Sequence, residues 1–438
     1  MRVLDFCYYL FPIKRNELPL FIWAFCFIFM LFFAYALLRP LRDALGIEGG
    51  QDELKWLFMG TFIICIIASL TLMFVSTKIK RKFYVDCVIV FFALNLAIFY
   101  IAMQILESGS NGFLWLSRSF YIWVSVFNLF VFSSAWSLLA DVFDRESSMR
   151  LFGMIAAGAS LGSISGALVV VFLSRHISSS TFVFVALGSL LLALVCKICI
   201  MQILKKKSLK YNKVALFARF EKSIDAKNPF VGFHLILHSR YLLYVSFFIL
   251  LLTSISTFLY MEQARVINTL FSTRESRIEA FAGIDFIVQS CSLIIQIFFT
   301  AKITRIFGLS ALLGSLGFVL TLGFVFLAFM HPAFVPLAVV MSVRRIGEYA
   351  LVKPGREMLF VPLSANEKYK VKNFLDCVLY RAGDMLSGQI EGVFASFGVI
   401  FVLCVGALLS FVWGMLGVKL AKMHESLHAK NQDEKFYS

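Results

Sequence analysis

The sequence predicts an all-α membrane protein with twelve transmembrane helices arranged as two six-helix halves. Three observations carry this prediction. Hydrophobic residues fill 60% of the 438 positions and charged residues only 15%, with a mean hydropathy of +0.86, a balance far from that of chains that fold in water. Apolar stretches of about 20 residues, the length that crosses a hydrocarbon core, recur along the chain. Lysine and arginine gather in alternate joints between them, which is the charge asymmetry of membrane helices.

The spans follow in order. The first, near 19–38, has no small-residue cleavage site and exceeds a signal-peptide core, so it reads as a retained helix. The second, 54–76, ends on the run Lys78, Lys80, Arg81 and Lys82, and the third covers 83–105. The fourth, 113–140, contains Arg118 and runs up to Asp141. The fifth, 151–174, spaces Gly158, Gly162 and Gly166 four residues apart, with Ser160, Ser163 and Ser165 between. Small residues at that spacing let helix backbones approach closely; a phosphate-cradling loop would need GxxxxGK[ST] after a strand, which is absent. The sixth, 181–204, holds Cys196 and Cys199, a lone CxxC that reads as two small apolar side chains.

Residues 205–240 form a long basic joint headed by Lys205, Lys206, Lys207, Lys210 and Lys213. Six further spans lie near 241–261, 278–301, 308–330, 332–353, 374–396 and 398–420. None of the twelve shows the alternation of a barrel strand. The expected organisation is a bundle over 1–204, a cytoplasmic linker over 205–240 and a second bundle over 241–438, with both termini cytoplasmic. A bacterial inner membrane is the expected location. The net charge of +15 is then a topology signal with anionic lipid as its partner, and nucleic acid is not expected.

The halves repeat weakly. Thr77-Lys-Ile-Lys-Arg-Lys-Phe83 after the second span matches Ala301-Lys-Ile-Thr-Arg-Ile-Phe307 after the eighth, and nearly the same offset sets Arg118 opposite Arg345. Paired six-helix halves joined by a charged bridge fit a carrier of the major facilitator type.

Charges inside the spans supply the functional argument, because an ionisable side chain in lipid is costly and usually faces the bundle interior. They include Arg39, Arg42, Asp43, Arg118, Asp141, Glu262, Asp285, Arg344, Arg345, Glu348, Arg356, Glu357, Arg381, Asp384 and Glu391. Arg345 sits one turn from Glu348, and Arg381 one turn from Asp384, so part of the set can pair helix-internally. Arg39, Arg42, Arg118 and Arg344 are read as arginines left over from such pairing. Guanidinium forks match phosphate and carboxylate oxygens, so a small-molecule anion is the expected substrate. Arg39, Arg42, Arg118, Arg344, Arg345 and Arg381 are the expected binding groups, and Glu348, Asp384 and Glu391 would position them or couple to protons. The six histidines are scattered without HExxH, and no GxSxG occurs; neither an enzyme nor a metal or cofactor site is expected.

One segment carries a family likeness. The run from Arg356 to Gly383 resembles, without a gap, the late segment of the ATP/ADP translocases of plastids and obligate intracellular bacteria. The matching positions are Glu357, Met358, Pro362, Leu363, Lys368, Lys370, Lys372, Asp376, Arg381 and Gly383. Leu38-Arg-Pro-Leu-Arg-Asp-Ala-Leu45 is similar to the family's first-helix motif, with Arg42 in place of a lysine. The stretch from Trp136 to Gly166 is similar to its fourth-to-fifth-helix region. The resemblance implies nucleotide exchange across a membrane, with basic residues on the phosphates. The chain departs from the pattern at Val124, where the family is acidic, and at Asp384, where it has lysine. A proton-coupled carrier of another metabolite is the alternative, and a non-transporting membrane subunit or enzyme a third.

Overall fold

In the computed structural model the described residues are 14, 16–143, 145–210, 220–221, 231–298, 300–360, 371 and 374–436. Among them there is no β-strand. The helices are α1 (Leu18–Gly46), α2 (Leu54–Lys78), α3 (Arg81–Ile105), α4 (Asn111–Val142), α5 (Arg145–Leu173) and α6 (Ser179–Lys210). After a short helix over Val231–His238 come α7 (Arg240–Leu270), α8 (Arg274–Phe298) and α9 (Thr300–Met330). The series closes with α10 (Phe334–Gly347), α11 (Tyr380–Phe394) and α12 (Val399–Phe436).

Ten of these helices are long and apolar enough to cross a membrane as single α-helical pieces. The two that are not are α10 and α11, and the reason is local. Each is continued by a π-helical turn, Glu348–Val352 after α10 and Leu375–Leu379 before α11, and Lys353–Met358 then prolongs α10. The Lys353 N–H reaches back to the Glu348 carbonyl and the Tyr380 N–H to the Leu375 carbonyl, the five-residue step of a π-bulge. With those turns included, α10 and α11 are the tenth and eleventh of the predicted twelve spans.

Local chemistry sets the helix ends. Ser110 Oγ accepts from the Phe113 N–H at 3.2 Å and Ser239 Oγ from the Leu242 N–H at 3.4 Å, so each caps an otherwise orphan donor. Within the spans several hydroxyls turn back on their own helix, as Ser125 does to the Tyr121 carbonyl and Ser410 to that of Gly406, which satisfies those donors without a partner from another helix. On α3, Phe91, Leu94, Ile98, Ile101 and Ile105 make an exposed apolar stripe at alternating three- and four-residue steps, while Val85, Val88, Ile89, Phe92 and Leu96 are buried. An apolar face of that length suits lipid as its solvent.

The chain forms two compact units. The first holds α1 to Leu45, α2 from Ile67, α3 to α6, and α8 as far as Phe286. Here α5 packs on α1 through the predicted glycines: a Cβ on Gly162 would lie 2.4 Å from the Phe29 carbonyl oxygen, and one on Gly166 2.8 Å from that of Phe33. Helices α3 and α6 pack together and share a buried ion pair, with Lys197 Nζ 2.5 Å from Asp86 Oδ2 and 2.5 Å from the Lys82 carbonyl oxygen. At the α2–α3 joint, Lys80 and Lys82 reach Glu221 at 2.9 and 2.5 Å. Hydrogen bonds from Lys82 and then Lys80 hold that carboxyl below its ordinary range.

The second unit holds the α1–α2 joint, α2 to Ile66, α7, α8 from Ile287, and α9 to α12. Its tightest pairing, α9 on α12, is another small-residue seam: a Cβ on Gly317 would sit 2.5 Å from the Gly414 Cα, and one on Gly417 2.4 Å from the Leu313 carbonyl oxygen.

Candidate functional site

The second unit gathers predicted site residues from three helices. On α10, Arg344 Nη1 lies 2.9 Å from Glu348 Oε2 and donates at 2.6 Å to Ser256 Oγ of α7. On α11, Arg381 Nη1 lies 3.5 Å from Asp384 Oδ2, and Thr257 Oγ1 of α7 donates to Asp384 Oδ1 at 3.5 Å. Tyr380 lies within electrostatic reach of Glu348, Asp384, Arg344 and Arg356, which places the two ion pairs around one phenol. With the π-turns counted, these groups lie within their spans rather than in the joints, where charge is costly and informative.

Gly383 brings α11 against α7. A Cβ there would fall 2.2 Å from Thr253 Oγ1, so only glycine lets the backbones approach closely enough for Thr257 to meet Asp384 and for Ser387 to donate to Ser254 at 2.8 Å. Along α10 and α11 a third ion pair, Arg356 with Asp376 at 3.2 Å, joins the two segments beside the π-turns. Cys65 of α2 is buried within reach of Arg381 and Asp384, a neighbour that its apolar surroundings in sequence gave no reason to select.

The pairing differs from the sequence expectation in three places. Glu348 pairs with Arg344, four residues earlier, where Arg345 was expected; Arg345 is buried elsewhere on α10 at 3% exposure. Residues three and four before Glu348 both border its face, and the hydrogen bond to Ser256 of α7 accompanies the pairing of Arg344. Second, Arg39, Arg42 and Arg344 are not left over from pairing: Arg39 meets Asp285 at 3.6 Å, Arg42 meets Asp43 at 2.5 Å, and Arg344 has Glu348. Third, Glu391 lies with a different arginine from those it was expected to position. Arg265 Nη2 sits 2.6 Å from Glu391 Oε1, and Arg265 Nη1 2.5 Å from Glu262 Oε2. Arg265 falls outside the seventh predicted span, which stops at 261, while α7 runs to Leu270.

In the first unit Arg42 Nη1 reaches Ser125 Oγ at 3.5 Å, and its guanidinium lies 5.2 Å from the centre of the Tyr121 ring. Arg118 rests 4.8 Å from the centre of the Trp115 ring. Trp115, Arg118, Tyr121 and Ser125 follow at steps of three, three and four, one stripe of α4, so Arg42 and Arg118 share a face. Lys368, Lys370, Lys372, Pro362 and Leu363 lie outside the described residues, as does the side chain of Glu357. Among the described residues no cluster of three metal-ligating side chains occurs, and Cys196 and Cys199 are free thiols.

A family model described as Major Facilitator Superfamily matches residues 19–351, more than half the chain. The chain belongs to the Major Facilitator Superfamily. It is accordingly an integral membrane protein with a transporter fold. Solved major facilitators are similar over nearly their whole length. The nucleoside transporter NupG matches with TM-score 0.57 and 14% identity over 95% of this chain and 99% of its own. A POT family transporter in complex with 5-aminolevulinic acid matches with TM-score 0.63 and 13% identity over 92% and 96%. A D-xylose–proton symporter matches with TM-score 0.61 and 11% identity over 93% and 97%. At these identities the likeness is one of fold. No curated protein sequence matches the chain. The matched region ends at 351, before the segment that resembles the ATP/ADP translocases.

Proposed function

We propose that this major facilitator is a secondary transporter of an organic anion, with nucleotides as the substrate class and ATP:ADP exchange as the mode. Alternating access of the two halves provides the mechanism. The observation that carries the reading is the group formed by Arg344, Arg381, Glu348 and Asp384 beside Ser256 and Thr257. Each guanidinium holds a carboxylate at 2.9 or 3.5 Å. A phosphate can take that carboxylate's place on the arginine fork without any new charge having to be buried beforehand. The gapless likeness of Arg356 to Gly383 to nucleotide exchangers narrows the anion to a nucleotide. Arg345 and the first unit's Arg39, Arg42 and Arg118 are proposed as further anion contacts. The lysine and arginine bias supports cytoplasmic termini, and a bacterial inner membrane is the proposed location.

Proteoliposomes loaded with ADP should take up labelled ATP, and empty ones should not. Arg344→Ala or Arg381→Ala should abolish the uptake while the protein still reconstitutes. Equal uptake into loaded and empty vesicles would remove exchange, and no uptake of any nucleotide would remove the substrate class.

A second reading has its own support. Two carboxylates balance two arginines in the group, so an arriving anion leaves surplus negative charge that a proton on Asp384 or Glu348 would offset. This is proton-coupled transport of another metabolite. Uptake driven by an imposed pH gradient and lost in Asp384→Asn would favour it over exchange.

A further inference from the structure

A second charged cluster, at the end of the second unit where α7 runs out and the α9–α10 joint lies, is not used by the anion group. Arg265 bridges Glu262 on its own helix and Glu391 of α11, at 2.5 and 2.6 Å. His331, in the joint between α9 and α10, places Nδ1 2.6 Å from Glu262 Oε1. Both carboxylate side chains are at most 2% exposed, Arg265 is 13% exposed and His331 25%.

The charges of this cluster do not balance without an added proton. Two buried carboxylates face one guanidinium, which leaves a net negative charge in an apolar bundle. Nitrogen and oxygen at 2.6 Å need a hydrogen between them, carried by His331 Nδ1 or by Glu262 Oε1. The charge is cancelled when His331 holds a second proton on Nε2, or when a carboxyl is protonated. Glu391 Oε2 is buried and, among the described residues, has no hydrogen-bond partner, the position where a bare carboxylate oxygen is most costly and a carboxylic acid is least so. Asp52 lies within electrostatic reach of Glu391 and adds to the negative charge there, while the Lys55 side chain packs against Gly392. His331, at 25% exposure, is the most exposed member of the four.

We propose that Glu262, Arg265, His331 and Glu391 form a proton-binding site, separate from the Arg344 and Arg381 group, that holds one exchangeable proton and is reached through His331. The proton is held by His331 with Glu262 or by Glu391, and Arg265, which bridges the two carboxylates, keeps both in place in either state. That this site couples to solute movement rests on the carrier reading above. That it binds a proton does not.

The test therefore reads the proton directly. Infrared difference spectra of the purified protein in lipid, recorded between about pH 5 and pH 8, should show a carboxyl band or a histidine ring band that changes with pH. Glu391→Gln should remove the carboxyl component, and His331→Gln the ring component together with a shift of the carboxyl midpoint. Lys419→Ala, whose ammonium donates to Tyr244 Oη near the opposite end of α7, should leave both in place. Flat spectra in the wild type, or bands unchanged in both His331→Gln and Glu391→Gln, would overturn the proposal. Should Glu391→Gln fold poorly, Glu262→Gln reports on the same shared proton. If the bands behave as expected but no nucleotide is transported, the anion reading fails and the proton site stands.

Discussion

Asp86→Ala offers a sharp test of how this fold accommodates charge in lipid. Lys197 is 3% exposed and its ammonium has two acceptors, Asp86 Oδ2 and the Lys82 carbonyl, each at 2.5 Å. Removing Asp86 strands that ammonium between α3 and α6. Breaking one side of a buried pair costs about 3–5 kcal/mol. Asp86 itself keeps 25% of its side chain exposed, and the Lys82 carbonyl remains, so the lower end applies: about 3 kcal/mol, or more than a hundredfold in the unfolding equilibrium. Replacing both partners, as Asp86→Leu with Lys197→Met, removes the charge along with its partner and should return stability to within about 1 kcal/mol of the wild type or above it. The assay is equilibrium unfolding in mixed micelles followed by tryptophan fluorescence, run as a double-mutant cycle. An Asp86→Ala protein as stable as the wild type, or a double variant as unstable as the single one, would refute the reasoning.

Other outcomes follow from the same geometry. Gly162→Leu should force α5 from α1, since even the Cβ would meet the Phe29 carbonyl oxygen at 2.4 Å; a loss of about 1–3 kcal/mol or more in thermal unfolding is expected, against no change for Gly188→Leu, where a Cβ meets nothing within 4 Å. Gly383→Ala should abolish transport and be partly rescued by Thr253→Ala, because the contact at 2.2 Å is to Thr253 Oγ1; flux in proteoliposomes checks it. The Glu221 contact with Lys80 and Lys82 should be intact at neutral pH. A depressed carboxyl contributes above its unfolded value and is lost as pH falls through the folded one, so release is expected only below the ordinary 4.5. Glu221→Gln should release it at every pH, read as faster proteolysis of the segment around 221.

The sequence made the spans legible because lipid demands long apolar stretches whatever the neighbours are. It also marked Arg344, Glu348, Arg381 and Asp384, since each is a charge where hydrocarbon would be expected. What it could not supply was pairing. Arg344 and Arg345 are adjacent, and only the packing of α7 with Ser256 selects the first for Glu348. Asp86 and Lys197 are single charges in separate spans, and nothing in either span announces that α3 will lie on α6. Arg265 escaped because hydropathy falls at the end of α7 while the helix continues to Leu270. The glycines of α5 were read correctly because their spacing itself describes a backbone contact.

The two π-turns bear on how the chain's angular register is set. Arg344 and Arg356 would point about 120° apart on an uninterrupted α-helix. The extra residue taken up at Glu348–Val352 rotates the second onto nearly the same stripe as the first, and the turn at Leu375–Leu379 does the same for Asp376 and Asp384. Deleting one residue inside either turn would leave a regular helix whose charges keep nearly the same stripe, whereas winding the turn into α geometry with every residue kept would swing half of the charges by about 100° towards the lipid tails. In this pair of helices the π geometry, more than the number of residues, decides which way the ions face.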